Sequence, residues 1–529
     1  MTLGRLVFGE LAAAGVRHVF GIPGDMALNL FRAAQEASLP VISTTNELVS
    51  GYAADFYARA SGLGVLVVTY NVGSLSALNA VAEAVAERSP LLVVMGAPGR
   101  QERRRPVALH HEILHDGRAG STSQSRAFQA CGVRRFGPGQ IHQAIAYVRR
   151  RSRPAFLEIP RDVVEREAPP ETPAPEAQPN GGGAALALLQ ERLEHAERPV
   201  LIAGMEVNRF GLHASLVQWA ERLNAPVVGT WLGKSAFPET HPLYRGIYCG
   251  ELSDRNRELL AESDCVINVG EQWTDFNLGM GTSRLRYEEV LHLRTPGLFY
   301  GGTRADATPL ARLLPELADR HWKACRAPEP ARPADSASGF GLDYLAQALT
   351  EELLREWNVI VDVGDAFMLA TLVAMPRVNS YFTSPYYASM GMAVPGALGL
   401  ALATGRRTLV VVGDGAFQMT PGALVDCVRY GAHPIVVVLN NRSYGTLRVM
   451  EGEPHPYLRV EPLEYVQVAR GMGCRAARAA TPAEFDAAWR AAVADRQHAH
   501  LIEMVLPESH LSTAGMRIYR EMRKHLRGG

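Results

Sequence analysis

The feature that most constrains the fold is a phrase repeated along the chain: a short run of β-branched and aliphatic residues, a glycine turn, then an amphipathic stretch. "LVVTYNVGSLSALNAVAEAVAERSPLLVVM" (66–95) and "LVVVGDGAFQMTPGALVDCVRYGAHPIVVVL" (409–439) both read as strand, turn, helix, proline, strand, with Pro90 and Pro434 in equivalent places. A strand with no polar side must be covered on both faces, which a parallel sheet between two layers of helices provides. The expected fold class is therefore α/β, with doubly wound parallel sheets. The likeness of the two stretches suggests related domains that face each other, although any two βαβ units share this outline.

At 529 residues the chain exceeds one hydrophobic core. Two stretches cannot build a core and read as linkers: "APPETPAPEAQPNGGG" (168–183) and "RAPEPARPADSASG" (326–339). They divide the chain into expected domains at 1–167, 184–325 and 340–529. The middle one, with "PVLIAGMEVNRFG" and "CVINVGEQWTD", carries no dense polar cluster and is expected to be structural or regulatory.

Lys+Arg and Asp+Glu both number 54, so the formal net charge is +0 and nothing favours a nucleic-acid partner. No apolar run is long enough to span a membrane. Arg5, Glu10 and Arg17 interrupt the apolar residues at the start of the chain, which reads as an amphipathic helix rather than a signal peptide. The six cysteines are scattered with no C-x-x-C spacing and are expected to be reduced packing residues. The expected location is the cytoplasm.

In "VVVGDGAFQMT" a carboxylate, Asp414, stands between two glycines at the end of a buried strand. The next apolar strand ends in Asn440 and Asn441, 27 positions on (441 − 414). Neighbouring parallel strands deliver their last residues to the same sheet edge, where α/β proteins bind ligands. An Asp oxygen, an Asn carbonyl and a nearby backbone carbonyl suit octahedral Mg²⁺, whose remaining positions take phosphate oxygens and water. The pattern reads as a metal-diphosphate site.

"GDGAFQMT…VVVLNNRSYG" resembles the diphosphate-binding motif of thiamine diphosphate (ThDP) enzymes, and the resemblance extends over nearly the whole chain to the pyruvate, indolepyruvate and phenylpyruvate decarboxylase group. "FGIPGD", "TTNELVSGYAADFYAR", "VTYNVGSLSALNAV", "SPLLVVMGAP" and "LHH" are similar to that group's segments in order and spacing. The resemblance implies three domains: pyrimidine-binding, middle and diphosphate-binding. It implies ThDP and Mg²⁺ as cofactors, with Asp414, Asn441 and the main-chain carbonyl of Ser443 on the metal and Gly413, Gly415 and Ala416 along the diphosphate. Glu47 would bond the aminopyrimidine ring nitrogen, the Ala388 carbonyl would hold its amino group, and Met390 would be the apolar wedge beneath the bent cofactor. His110, His111 and Asp25 would manage protonation near neutral pH and aldehyde release. Asp25 also reads as the N-cap of the following helix.

The chain departs from the group in two places. Pyruvate-type members carry a glutamate where this chain has Leu447; with Thr446 it would form an apolar wall of the substrate pocket, as in phenylpyruvate-type members. "GRQERRRPVALHH" is unusually basic, and Arg100, Arg103, Arg104 and Arg105 are expected to face solvent. The implied activity is non-oxidative decarboxylation of a bulky 2-oxo acid, phenylpyruvate or indolepyruvate-like, to an aldehyde and CO₂. The alternative is carboligation to an acyloin or 2-hydroxy-3-oxo acid. The implied assembly is a homodimer or homotetramer with Glu47 and Asp414 of one site on different chains, and the C-terminal stretch would close over it.

Overall fold

The computed structural model describes residues 1–104, 107–115, 118–119, 123–168, 182–250, 254–325 and 339–527. Of the two expected linkers, only Ala168, Gly182, Gly183 and Gly339 are among the described residues.

The first sheet is formed by β1 (Val19–Gly21), β2 (Val41–Ile42), β3 (Gly64–Val68), β4 (Leu91–Ala97), β7 (Arg134–Phe136) and β8 (Ala155–Pro160), with β5 (Leu114–His115) and β6 (Arg118–Ala119) forming a separate small hairpin. Its order is β2-β1-β3-β4-β8-β7, parallel throughout. The middle sheet contains β9 (Pro199–Ala203), β10 (Val227–Gly229), β11 (Tyr244–Ile247), β12 (Cys265–Val269), β13 (Leu291–Arg294), β14 (Gly297–Tyr300) and β15 (Thr303–Asp306). The third contains β16 (Asn358–Val361), β17 (Tyr381–Phe382), β18 (Thr408–Gly413), β19 (Ile435–Asn440), β20 (Arg475–Ala479) and β21 (His500–Val505), again parallel, in the order β17-β16-β18-β19-β21-β20.

Numbered within themselves, both outer sheets read 2-1-3-4-6-5. The similarity of 66–95 and 409–439 therefore belongs to a shared architecture: each stretch is a central β-α-β unit. In both, the central strands are buried along their length, as their unbroken apolar runs require. The middle sheet differs. Its order β11-β10-β9-β12-β13-β14-β15 is doubly wound about β9 and β12, and β14 runs antiparallel between β13 and β15.

The outer layers pack on each other through helix Glu47–Ser61 and helix Ala393–Thr404. Gly399 allows this, because a Cβ there would collide with the Ala53 carbonyl. Beside the contact, Arg59 is fully buried, pairs with Asp55 at 2.6 Å and Glu83 at 3.2 Å, and donates to the Thr383 carbonyl at 2.9 Å. Buried charges persist only when paired and hydrogen-bonded, so this cluster fixes how the layers meet. The middle layer docks by the same means. Arg88 pairs with Glu206 towards the first sheet, and Lys234 pairs with Glu239 while donating to Val373 O at 2.6 Å towards the third.

Candidate active site

Strands β18 and β19 run in register with Gly413 opposite Leu439, so Asp414 and Asn440–Asn441 leave the sheet side by side. Asp414 opens a short helix, Asp414–Phe417. Its carboxylate is 2% exposed and accepts from Gly415 N at 2.7 Å and Arg442 N at 2.5 Å. Burial pushes its pKa up to about 6 against these backbone donors. Among the described residues no Lys or Arg pairs with it, and a buried carboxylate without a counter-charge suits a cation. Asn441 donates from Nδ2 to His510 O at 2.8 Å, which turns its Oδ1 towards Ser443 N at 3.1 Å. A carboxylate, an amide oxygen and the turn 441–443 thus converge as hard donors. Around Gly413 nothing lies within 4 Å of where a Cβ would stand, leaving room at the sheet edge for a diphosphate. The residues present fit a divalent cation and the diphosphate of ThDP. When bound, that cofactor supplies a carbon nucleophile and an electron sink for decarboxylation.

The segment 384–392 follows β17 in sequence and precedes helix Ala393–Thr404. Ala388 is held at φ +56, rare outside glycine. Met390 is partly buried against the core that contains Tyr52, Met392 and Val394. Two carboxylates pin the segment from opposite ends. Glu87 Oε1 accepts from Ser384 Oγ (3.0 Å), Tyr386 N (2.9 Å) and Tyr387 N (3.0 Å). Asp362, at the end of β16 and fully buried, accepts from Gly391 N (3.0 Å), Ala393 N (2.9 Å) and Val363 N (2.8 Å). Burial raises its pKa to about 6 while these bonds hold it down. Tyr52, on the helix that begins with Glu47, hydrogen-bonds Ser389, and Asn79 donates to the same hydroxyl at 2.9 Å.

Glu47 is the first residue of helix Glu47–Ser61, whose N-cap Asn46 accepts from Val49 N at 2.9 Å. Its carboxyl lies against Gly73, where a Cβ would approach Oε1 to 3.2 Å. Asp25, His110 and His111 come together: Asp25 bonds His110 Nε2 at 2.7 Å and stands 3.8 Å from His111 Nε2. The two imidazoles meet edge to face, with ring centroids 4.7 Å apart. Asp25 is not a helix cap, since helix Leu28–Glu36 starts after Ala27 with no side-chain cap; the carboxylate turns to the histidines and to Arg161 at 3.5 Å instead. Arg161 is itself held by Glu102. Of the basic stretch, Arg100 and Arg104 are exposed, but Arg103 is partly buried and pairs with the buried Glu158 at 2.8 Å rather than simply facing solvent. Arg105 lies outside the described residues. Thr446 and Leu447 sit on helix Gly445–Glu451 directly after the turn 441–443; Thr446 is half-buried and the Leu447 side chain is 50% exposed.

Sequence reasoning missed Glu87, Asp362, Arg161 and Glu102. Asp362 had a signal, because "NVIVDVG" ends an apolar strand in a carboxylate as "LVVVGDG" does. Glu87 and Arg161 had none: each acts on a segment far away in sequence.

The chain matches the family models for the N-terminal TPP-binding domain (residues 1–119), the central domain (186–296) and the C-terminal TPP-binding domain (362–504) of thiamine pyrophosphate enzymes. It is 33% identical to the indole-3-pyruvate decarboxylase of Azospirillum brasilense, over 97% of this chain and 96% of that one. It is 29% identical to the alpha-keto-acid decarboxylase of Mycobacterium avium, over 96% and 94% of the two chains. The thiamine diphosphate-dependent 4-hydroxybenzoylformate decarboxylase of Rhodococcus jostii superimposes with a TM-score of 0.78 and 24% identity, covering 96% of this chain and 99% of that one.

Proposed function

The chain belongs to the thiamine diphosphate-dependent 2-oxo acid decarboxylases, and on that premise we propose that it converts a bulky 2-oxo acid of the phenylpyruvate or indolepyruvate kind to CO₂ and the aldehyde, with Mg²⁺ as the metal. The observation that carries the substrate reading is Leu447, a half-exposed apolar side chain on the helix directly after the candidate metal turn. An apolar wall there favours a larger side chain than a methyl group. The name of the Azospirillum relative points the same way.

In this reading Asp414, Asn441 and the Ser443 carbonyl would hold Mg²⁺, and Gly413, Gly415 and Ala416 would line the diphosphate. Glu47 would hydrogen-bond the aminopyrimidine ring nitrogen of ThDP, the Ala388 carbonyl would hold its amino group, and Met390 would support the ring from below. His110 and His111, with Asp25 bonded to the first, carry the proton that completes the aldehyde. The described chain leaves the His110, His111 and Asp25 side chains 56%, 34% and 40% exposed, which supports a site completed by a second subunit. Water would otherwise reach the reacting centre.

The test is a coupled assay of CO₂ and aldehyde from phenylpyruvate, indolepyruvate, 4-methyl-2-oxopentanoate, benzoylformate and pyruvate, with Mg²⁺ and ThDP. Aldehyde equal to CO₂ for an aromatic substrate, with little from pyruvate, is the expected result. CO₂ without matching aldehyde would assign carboligation instead. Glu47→Gln should abolish turnover while ThDP remains bound, and near-normal turnover in that variant would overturn the mechanism.

A further inference from the structure

The turn 69–71, which links β3 to the short helix Val72–Ser76, and Gly73 within that helix border the parts of the first layer that the proposed chemistry uses. Gly24, next to Asp25, packs on Thr69 so closely that a Cβ would stand 2.6 Å from Thr69 Cβ. Gly73 lies against the Glu47 carboxyl. Between them, Asn71 Nδ2 donates to the main-chain carbonyl of His111 at 2.7 Å.

Asn71 is 2% exposed and adopts φ +49, ψ −70, while Val72 N bonds Tyr70 O at 2.6 Å across it. This is the positive-φ γ-turn, which is rare and strained for a residue with a side chain. Gln124 holds it there: its Oε1 accepts from Asn71 N at 3.1 Å and from Ser74 Oγ at 2.8 Å. His111 also has a positive φ, +66, so two residues in unfavourable backbone regions are tied by one hydrogen bond. Asn71 Oδ1 and Gln124 Nε2 are both buried without a partner among the described residues. Glycine would adopt the backbone of residue 71 with less strain and leave no orphaned oxygen. What glycine would lack is the donor to His111.

We propose that Asn71 is the positioning residue of the histidine pair: its side chain sets the His111 backbone, and through it the imidazole, relative to Glu47 and Asp25. The inference rests on the reading of His110 and His111 as the proton-handling groups of the decarboxylase.

Two variants test it. Asn71→Gly keeps the turn and removes the donor, and Asn71→Asp keeps the shape but opposes the His111 carbonyl with a carboxylate. In both, aldehyde formation should fall at least about tenfold and the ratio of CO₂ to aldehyde should rise, with KM for the 2-oxo acid little changed. The melting temperature of Asn71→Gly should stay level or rise, as a purely structural role would not allow. In cofactor-free protein carrying ¹³C-histidine, the His111 imidazole signal at fixed pH, assigned with His111→Gln, should move in both variants. An unmoved signal together with an unchanged ratio would overturn the role of Asn71. Full aldehyde formation by His111→Gln would overturn the reading of the histidines themselves, a distinguishable failure that takes the role of Asn71 with it.

Discussion

At the scale of residues, the chain keeps several carboxyl groups in places where water would normally be needed to support them. Asp362 and Asp414 are compensated by backbone N–H donors, and each spans a connection that bears on the site. Glu271 is the extreme case. Fully enclosed in the middle layer, it bonds Thr230 Oγ1, Gln272 N (2.9 Å) and Asn277 Nδ2 (3.0 Å), and burial pushes its pKa up to about 8. Its folded pKa lies above the unfolded value, so its contribution to stability is fully present below the ordinary glutamate range and is lost as pH rises through about 8. Glu271→Gln preserves the shape and can donate to Thr230. The variant should be more stable than the parent at pH 9 by roughly 2 kcal/mol, with the advantage gone at pH 5. Thermal unfolding at the two pH values checks this, and an equal gain at both would mean that packing rather than ionisation is responsible.

At the scale of elements, the C-terminal helix Thr513–Arg527 is anchored at its start by two carboxylates. Asp365 accepts from Ser512 N and Ser512 Oγ, both at 2.7 Å, and Asp343 accepts from Thr513 N at 3.0 Å and Thr513 Oγ1 at 3.1 Å. The segment just before the helix is fastened to the candidate metal turn, with Leu506 N on Asn440 O and Ser509 N on Asn441 O, both at 2.9 Å, and Asn441 Nδ2 on His510 O. The expected closing helix is thus tethered to residues that would hold the metal. Asp365→Ala removes two of the four capping bonds and should cost about 1–2 kcal/mol. Limited proteolysis should cut within 506–527 several-fold faster in that variant. An unchanged cleavage rate would show that packing of the helix, rather than its cap, holds it down.

At the scale of the whole molecule, the assembly decides whether one chain suffices. If Glu47 of one subunit serves Asp414 of another, Glu47→Gln and Asp414→Asn are each inactive alone. A hybrid dimer then holds one intact site and one doubly altered site, and should recover about half of the parent activity. If both groups came from the same chain, every hybrid site would carry one lesion and no activity would return. Activity of the refolded mixture therefore reports the assembly directly. Within the chain the outer layers pack through helices Glu47–Ser61 and Ala393–Thr404.

Whatever depends on neighbours along the chain is written in its residues. The apolar strands, the glycine turn around Asp414, the spacing to Asn441 and the adjacency of His110 and His111 are local, and periodicity and turn chemistry record local requirements. The likeness of 66–95 and 409–439 pointed to related domains, whose common strand order the structure supplies. Which distant groups meet is settled only as the layers fold together. Asp25 reads as a helix cap in sequence, yet folding brings it to His110, 85 positions away, and to Arg161, 136 positions away. Arg103 belongs to a basic run but is claimed by Glu158, and Glu87 reaches nearly three hundred positions along the chain to hold the segment before Ala388. A side chain's burial and partner depend on elements joined by long connections, and its pKa and geometry follow from these. No local pattern encodes them, because the energy that selects them is gained only when the layers close.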